Sequence, residues 1–335
     1  MNTNGDATVK VVPVRHVGRW IGLGAVAILL AMLIHTLFFK VSSAKLACAL
    51  SNGVRTCHHL KVWRFQWNIV SEYFFTTEVL HGLLITIELT VVSMIIGILL
   101  GMAIAVMRMS PSRVLSSLAW SFTWFFRGTP VLVQLFFWAF IGGLYPHLSL
   151  GVPFTHLAFV HINVNLTLTP FEAVIIGLGL NEGAYMSEIA RSGLISVDEG
   201  QTEAASSLGM TRRQTLRLVV VPQAMRVIIP PTGNEVISML KTTSLASSVG
   251  VLELFGAVEN IYATNYKIIP LLIVASIWYL IVTTILSIGQ FYLERRFARG
   301  ALRTPPPTPM QRLRADLRGI GAKFRTKRGV AELSS

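Results

Sequence analysis

Between two long apolar runs, residues 195–226 form a polar island that carries Glu203, Arg212, Arg213, Arg217 and Arg226. Each of those charges is expensive in hydrocarbon, so the island is a loop between membrane spans and not part of one. Its own pattern is helix–turn–helix. Glu203 to Leu208 is a run of good helix formers, and Gly209 can take the left-handed conformation that ends it. Thr211 then caps a second helix, Arg212 to Val221, which Pro222 is expected to stop or kink. A short helix with small Ala faces, projecting from a membrane domain, can dock closely into a groove on a soluble partner.

The rest of the chain supplies the membrane domain. Of 335 residues, 53% are hydrophobic and only 13% are charged, the balance of a polytopic membrane protein. Six runs are long enough to span: Trp20–Phe39, Leu80–Met107, Thr129–Leu144, Phe171–Ile189, Pro231–Val251 and Ile268–Tyr292. The third and fifth are interrupted by Pro130, Gly233 and Lys241. The net charge of +13 raises the question of nucleic acid, but its distribution answers it. Lys10, Arg15 and Arg19 precede the first run, Arg108 and Arg113 follow the second, and Arg295, Arg296, Arg299 and Arg303 follow the last. With the arginines of the island, this threading puts both termini and residues 195–226 inside. Lys40, Lys45, Arg55, Lys61 and Arg64 dissent, lying in the first outside loop.

The expected organisation is a basic cytoplasmic leader (1–19), an extra transmembrane helix (20–39), an extracytoplasmic loop (40–77), a core transmembrane domain (78–297) that holds the island 195–226, and a basic, Pro-containing cytoplasmic tail (298–335). The aromatic density of the 40–77 loop suits an interfacial helix. Residues 145–170 form a second outside loop with room for a short hairpin, and Ser112–Phe126 is an amphipathic elbow before Gly128-Thr129-Pro130 turns the chain into the membrane. Gly97 and Gly101 make a small-xxx-small patch for close helix packing. The only cysteines, Cys48 and Cys57, share the first outside loop; whether they are bridged is open. No metal-ligand spacing, phosphate loop, paired-carboxylate hydrolase arrangement or serine elbow occurs, so no catalytic residue or metal site is expected, and any ATP hydrolysis belongs to a partner chain.

Four ordered motifs carry a family resemblance. Glu203-Ala204-Ala205 with Gly209 four residues on, closed by Val219-Val220-Val221-Pro222, resembles the EAA loop of ABC importer permeases. Arg127-Gly128-Thr129-Pro130-Val131-Leu132-Val133-Gln134, Ala184-Tyr185-Met186-Ser187-Glu188-Ile189 and Leu240-Lys241-Thr242-Thr243-Ser244-Leu245 match the polar amino-acid branch (histidine, glutamine or arginine type) of that family. The similarity covers roughly His81 to Phe297. It implies an all-α polytopic membrane protein of the type I permease fold, with five core transmembrane helices plus one extra N-terminal helix, in a bacterial inner membrane. It also implies partners: ATPase subunits that bind the ATP and Mg and dock on Glu203, Ala204, Ala205 and Gly209, a second permease (identical or homologous), and an extracytoplasmic amino-acid-binding protein. Lipid surrounds the spans, and the basic tail favours anionic headgroups.

Polar residues inside the spans mark where a substrate path would run. On the fourth run Asn181, Tyr185 and Glu188 share a helical face, with Glu182 at its border; the structural alternative pairs Glu188 with Arg191 and uses Asn181 and Glu182 to join helices. The fifth run is expected to break at Pro230-Pro231-Thr232-Gly233-Asn234 and again at Lys241-Thr242-Thr243-Ser244, exposing a half-helix N-terminus. The candidate lining residues are therefore Asn181, Glu182, Tyr185, Gln134, Thr242 and Thr243. An ion-coupled secondary amino-acid transporter is the alternative class; it needs a self-contained coupling site and no docking loop.

Overall fold

The computed structural model describes residues 17–38, 40–51, 54–63, 65–151 and 158–297. The tail 298–335 and nearly all of the basic leader lie outside the described residues. In chain order come α1 (Val17–Phe38), β1 (Lys40–Ser51), β2 (Val54–Trp63), α2 (Trp67–Tyr73), α3 (Thr77–Arg108), α4 (Arg113–Gly128) and α5 (Val131–Leu144). These are followed by β3 (His147–Gly151), β4 (Ala158–Asn163), α6 (Val164–Thr167), α7 (Pro170–Ile195), α8 (Glu199–Ser207) and α9 (Arg212–Thr215). A π-turn (Leu216–Val220) leads into α10 (Val221–Thr242), a 3-10 segment (Thr243–Val249) follows, and α11 (Leu254–Asn265) and α12 (Ile268–Phe297) close the described chain.

Close helix contact organises the core. Gly97 and Gly101 of α3 face α7, and Gly179 and Gly183 of α7 face α3. A Cβ on Gly97 would strike the Glu182 side chain, one on Gly179 would lie 2.8 Å from Ile96, and one on Gly183 2.8 Å from Leu100. The small-xxx-small patch read from the sequence thus works in packing, matched by a second pair on α7. Away from this seam α3 and α12 turn Leu84, Val91, Ile95, Leu99, Leu280 and Ile285 outward, all at least half exposed. That is the reverse of a water-soluble fold and suits a lipid boundary.

Among the described residues, α3 and α12 are each long and apolar enough to cross a membrane, and α4 and α5 reach that length and apolarity only together, as a pair bent by 103°. The bend falls at Gly128-Thr129-Pro130, where the sequence placed a turn into the membrane. α7 and α10 have the length but are interrupted by charges and prolines. α1 has length too, at about 33 Å, and lies over no extended surface of the core.

Three expectations need correction. Pro230 and Pro231 do not break the fifth run: α10 continues through them, and the only break is at Thr242–Thr243. Gln290 of α12 donates to the Pro230 carbonyl oxygen (3.2 Å) and to Asn234 Oδ1 (3.0 Å), tying α12 to this stretch, and Thr232 donates to the Ile228 carbonyl oxygen (2.8 Å). No half-helix N-terminus therefore exists at 230–234. Nor does Pro222 end its helix. The Val221 N–H reaches the Leu216 carbonyl oxygen across the π-turn, and the widened turn accommodates a ring that would clash with a carbonyl four residues back. Finally, the 40–77 loop is mainly a β1–β2 hairpin, with helix only at Trp67–Tyr73. Asn52-Gly53, two residues between paired strands, was the unread signal. The register sets Cys48 opposite Cys57. The hairpin foreseen in the second outside loop is present as β3–β4.

Candidate functional site: a polar cavity and a coupling arm

A cavity of about 270 Å³ lies between α5, α7 and α10. It is lined by Val131, Leu178, Asn181, Glu182, Tyr185, Glu235, Ser238, Met239 and Thr242. Spacings of three and four residues put Asn181, Glu182 and Tyr185 on one face of α7, and Glu235, Ser238 and Thr242 on one face of α10. Two carboxylates thus face one space. Glu182 is 4% exposed, and its Oε1 has no hydrogen-bond partner among the described residues. Leaving a carboxylate oxygen buried and unpaired is costly, so such a group marks a place where something else is expected to bind. Gly97 opposite makes room for its stem, since a Cβ there would collide with it.

The side chains around Glu182 are already engaged. Asn181 Nδ2 donates to the Phe126 carbonyl oxygen (2.8 Å) and to Gln134 Oε1 (3.2 Å). Gln134 Nε2 donates to the carbonyl oxygens of Phe126 (2.9 Å) and Thr129 (3.1 Å) and to Thr129 Oγ1 (2.7 Å). The last carbonyls of a helix have no partner within it, and at the α4–α5 corner Asn181 and Gln134 supply one. Asn181 still presents an edge to the cavity; Gln134 does not line it. The Arg127 guanidinium lies 5.2 Å from the centroid of the Tyr185 ring, a cation–π contact at the cavity's edge.

Of the other candidates, Thr242 lines the cavity and donates its hydroxyl to the Ser238 carbonyl oxygen (3.0 Å). Thr243 is fully buried, donates to the Leu240 carbonyl oxygen (2.7 Å) and does not reach the cavity. Glu188 pairs with Arg191 at 3.4 Å, the structural alternative already weighed for it. Glu235 and Ser238 were missed. Attention to the Pro-Pro break hid the signal that 235, 238 and 242 share a face of a helix that does not break there.

The polar island folds as read. Asp198 caps α8, its side chain accepting from the Gly200 N–H. The helix ends in a Schellman arrangement: the Met210 N–H reaches the Ala205 carbonyl oxygen (3.1 Å), the Gly209 N–H reaches that of Ser206 (2.9 Å), and Gly209 has φ +75°. Thr211 and Gln214 form a reciprocal capping box at the start of the second helix. Glu203 and Ala204 are exposed, Ala205 is buried, and Leu208 stands 82% exposed at the tip.

Comparison with known proteins agrees with this geometry. Residues 97–299 match the family described as binding-protein-dependent transport system inner membrane component. The chain is 44% identical over 298 residues to the arginine transport system permease protein of Corynebacterium glutamicum, covering 88% of this chain and 85% of that one. It is 41% identical over 237 residues to the L-cystine transport system permease protein of Bacillus subtilis, covering 70% and 92%. A crystal structure of an amino acid ABC transporter with histidines aligns with a TM-score of 0.57 at 34% identity, over 68% of this chain and 97% of that one. On the family match and these relatives, the chain belongs to the binding-protein-dependent transport system inner membrane components, the permease subunits of ABC importers, and has their type I fold.

Proposed function

We propose that this permease carries a polar amino acid with a cationic side chain through the α5–α7–α10 cavity, driven by a separate ATPase docked on α8. The observation that carries the substrate class is the pair of carboxylates, Glu182 and Glu235, on one cavity wall each, with a Glu182 oxygen unpaired. An arginine-like molecule brings two cations and one carboxylate. Glu182 and Glu235 answer the cations, and Arg127, at the cavity's edge, answers the carboxylate. The arginine permease at 44% identity supports the same class. A cavity of about 270 Å³ suits a single amino acid and not a peptide.

Glu203, Ala204, Ala205 and Gly209 form the docking element, with Leu208 as its apolar tip. The family supplies the reason for a partner ATPase, and the capped, exposed arm supplies the surface. In this reading both termini and α8 face the cytoplasm, α1 is an extra helix beside five core spans, the two hairpins face outside, a second permease completes the pathway, and an external binding protein delivers the substrate. ATP and Mg bind the partner. ATPase closure would push on α8, and the continuous α9–α10 helix would carry that motion to Glu235, Ser238 and Thr242.

Gly209→Val tests the coupling. A β-branched residue resists φ +75°, so the second helix of the arm should be misdirected. The variant should reach the membrane in normal amount, fail to retain the ATPase on purification, and lose ATP-driven uptake of radiolabelled arginine in proteoliposomes. Uptake at the native rate would contradict the docking assignment. ATP-independent uptake driven by an ion gradient would favour a secondary transporter.

A further inference from the structure

The geometry points to Glu253 as the residue that positions an outer gate, holding closed the segment that seals the cavity from outside. This rests on the orientation and pathway just proposed. Leu178 and Met239 form the boundary, because they line the cavity and also belong to an apolar cluster with Leu89, Leu135, Ala246 and Val251. Above the cavity, therefore, the way out is closed by apolar packing, and the 3-10 segment Thr243–Val249 runs through the middle of it. Ala246 is fully buried there. This segment is the least regular part of the core. It joins α10 through a change of helix type, ends at Gly250 with φ +88°, and is followed by α11, whose 12 residues are too short to cross a bilayer.

What fixes this segment is a single carboxylate. Glu253 is wholly buried and caps α11: its Oε1 accepts from the Gly256 N–H (2.8 Å) and its Oε2 from the Phe255 N–H (3.0 Å). The same Oε2 accepts from Tyr279 of α12 (2.8 Å) and lies 3.2 Å from the Thr86 hydroxyl of α3. Thr86 Oγ1 in turn accepts from the Leu254 N–H (3.0 Å). Gly82, one turn before Thr86, lets α11 lie against α3, since a Cβ there would sit 2.8 Å from Ala257 Cβ and 3.0 Å from the Glu253 carbonyl oxygen. Among the described residues the only ion pair is Arg191–Glu188, so Glu253 is balanced by dipoles alone. Three residues separate Glu253 from the end of the 3-10 segment. That segment cannot leave the seal unless these bonds break or α3 and α12 move with it. A cluster of this kind has two discrete arrangements, bonded and broken, and its strength sets how often the outer side opens.

The test uses the full permease–ATPase complex in sealed proteoliposomes, with Cys48 and Cys57 replaced by serine and Thr243→Cys as a buried reporter. An impermeant thiol reagent is added on either side, without ATP. The background protein should be labelled slowly. Tyr279→Phe removes one hydrogen bond and keeps the ring, and Glu253→Gln removes the charge and keeps the shape. Labelling from the outer side should quicken by roughly five- to tenfold in the first and by at least about tenfold in the second. The ratio of ligand-stimulated to basal ATPase activity should fall in the same order. Unchanged labelling in both variants, with or without a drop in thermal stability, makes Glu253 a brace only and overturns the inference. Quickened labelling solely from the inner side overturns the gate and the orientation beneath it. A Gly209→Val failure leaves this labelling result unaffected, so the two readings fail separately.

Discussion

Glu182 and Glu253 are both buried in the same helical core, at 4% and 0% exposure, and their surroundings differ in one respect. Glu253 collects two backbone N–H groups, a phenol and a threonine, and joins three helices. Glu182 faces a cavity with an oxygen that nothing on the chain satisfies. A buried carboxylate with all its donors is architecture, because removing it orphans its partners. A buried carboxyl group short of donors is costly to keep charged, and a ligand that supplies them is one way to hold it. The contrast separates a joint between three helices from a group that faces a cavity.

Substitutions can break that contrast. The largest effect should come from Glu253→Ala, which leaves Tyr279 and two N–H groups without their acceptor in the interior. The expected cost is about 3 kcal/mol or more, seen as a collapse of monodisperse yield and a lower thermal unfolding temperature. A stable Glu253→Ala protein would mean that water or backbone replaces the carboxylate, and the distinction would weaken. Smaller, and centred on the other carboxylate, is Gly97→Ala. The added methyl meets the Glu182 Cγ and Cβ first and comes within 3.3 Å of its backbone carbonyl carbon, at an overpacking cost of about 1–3 kcal/mol. Because the strain falls on Glu182, uptake should drop further than stability does. Equal losses would make the glycine a packing residue alone.

Local rules made some parts of this molecule legible in the sequence. In the polar arm the turn was readable to the residue, because Gly209 and Thr211 obey termination and capping rules that need no tertiary context, whereas the first helix begins at Glu199 and Pro222 does not end the second. The α4–α5 corner was readable for the same reason, at Gly128-Thr129-Pro130. Three of the six proposed lining residues on α7, together with Thr242, reach the cavity, since helical spacing predicts a shared face. Gln134 and Thr243 were polar for other reasons: one serves carbonyls at a helix end and the other its own backbone. That choice depends on which neighbour comes close, which spacing does not reveal. Glu235 escaped because prolines suggested a break where α10, tied to α12 through Gln290, distant in sequence, stays helical. The node at Glu253 was invisible for a like reason. Its partners Thr86 and Tyr279 lie 167 and 26 residues away.

The most direct test of the unpaired carboxylate compares arginine with citrulline, a neutral molecule of nearly the same shape. Both are titrated calorimetrically into the purified permease–ATPase complex without binding protein, for the native chain and for Glu182→Gln. A charge-assisted bond is worth about 1.5–3 kcal/mol, so the native complex should prefer arginine by roughly ten- to a hundredfold. Glu182→Gln should lose most of that preference while its thermal unfolding temperature stays put. A native complex that binds the two equally, or a Glu182→Gln protein that keeps the preference and unfolds at a lower temperature, would show that Glu182 is a structural group like Glu253.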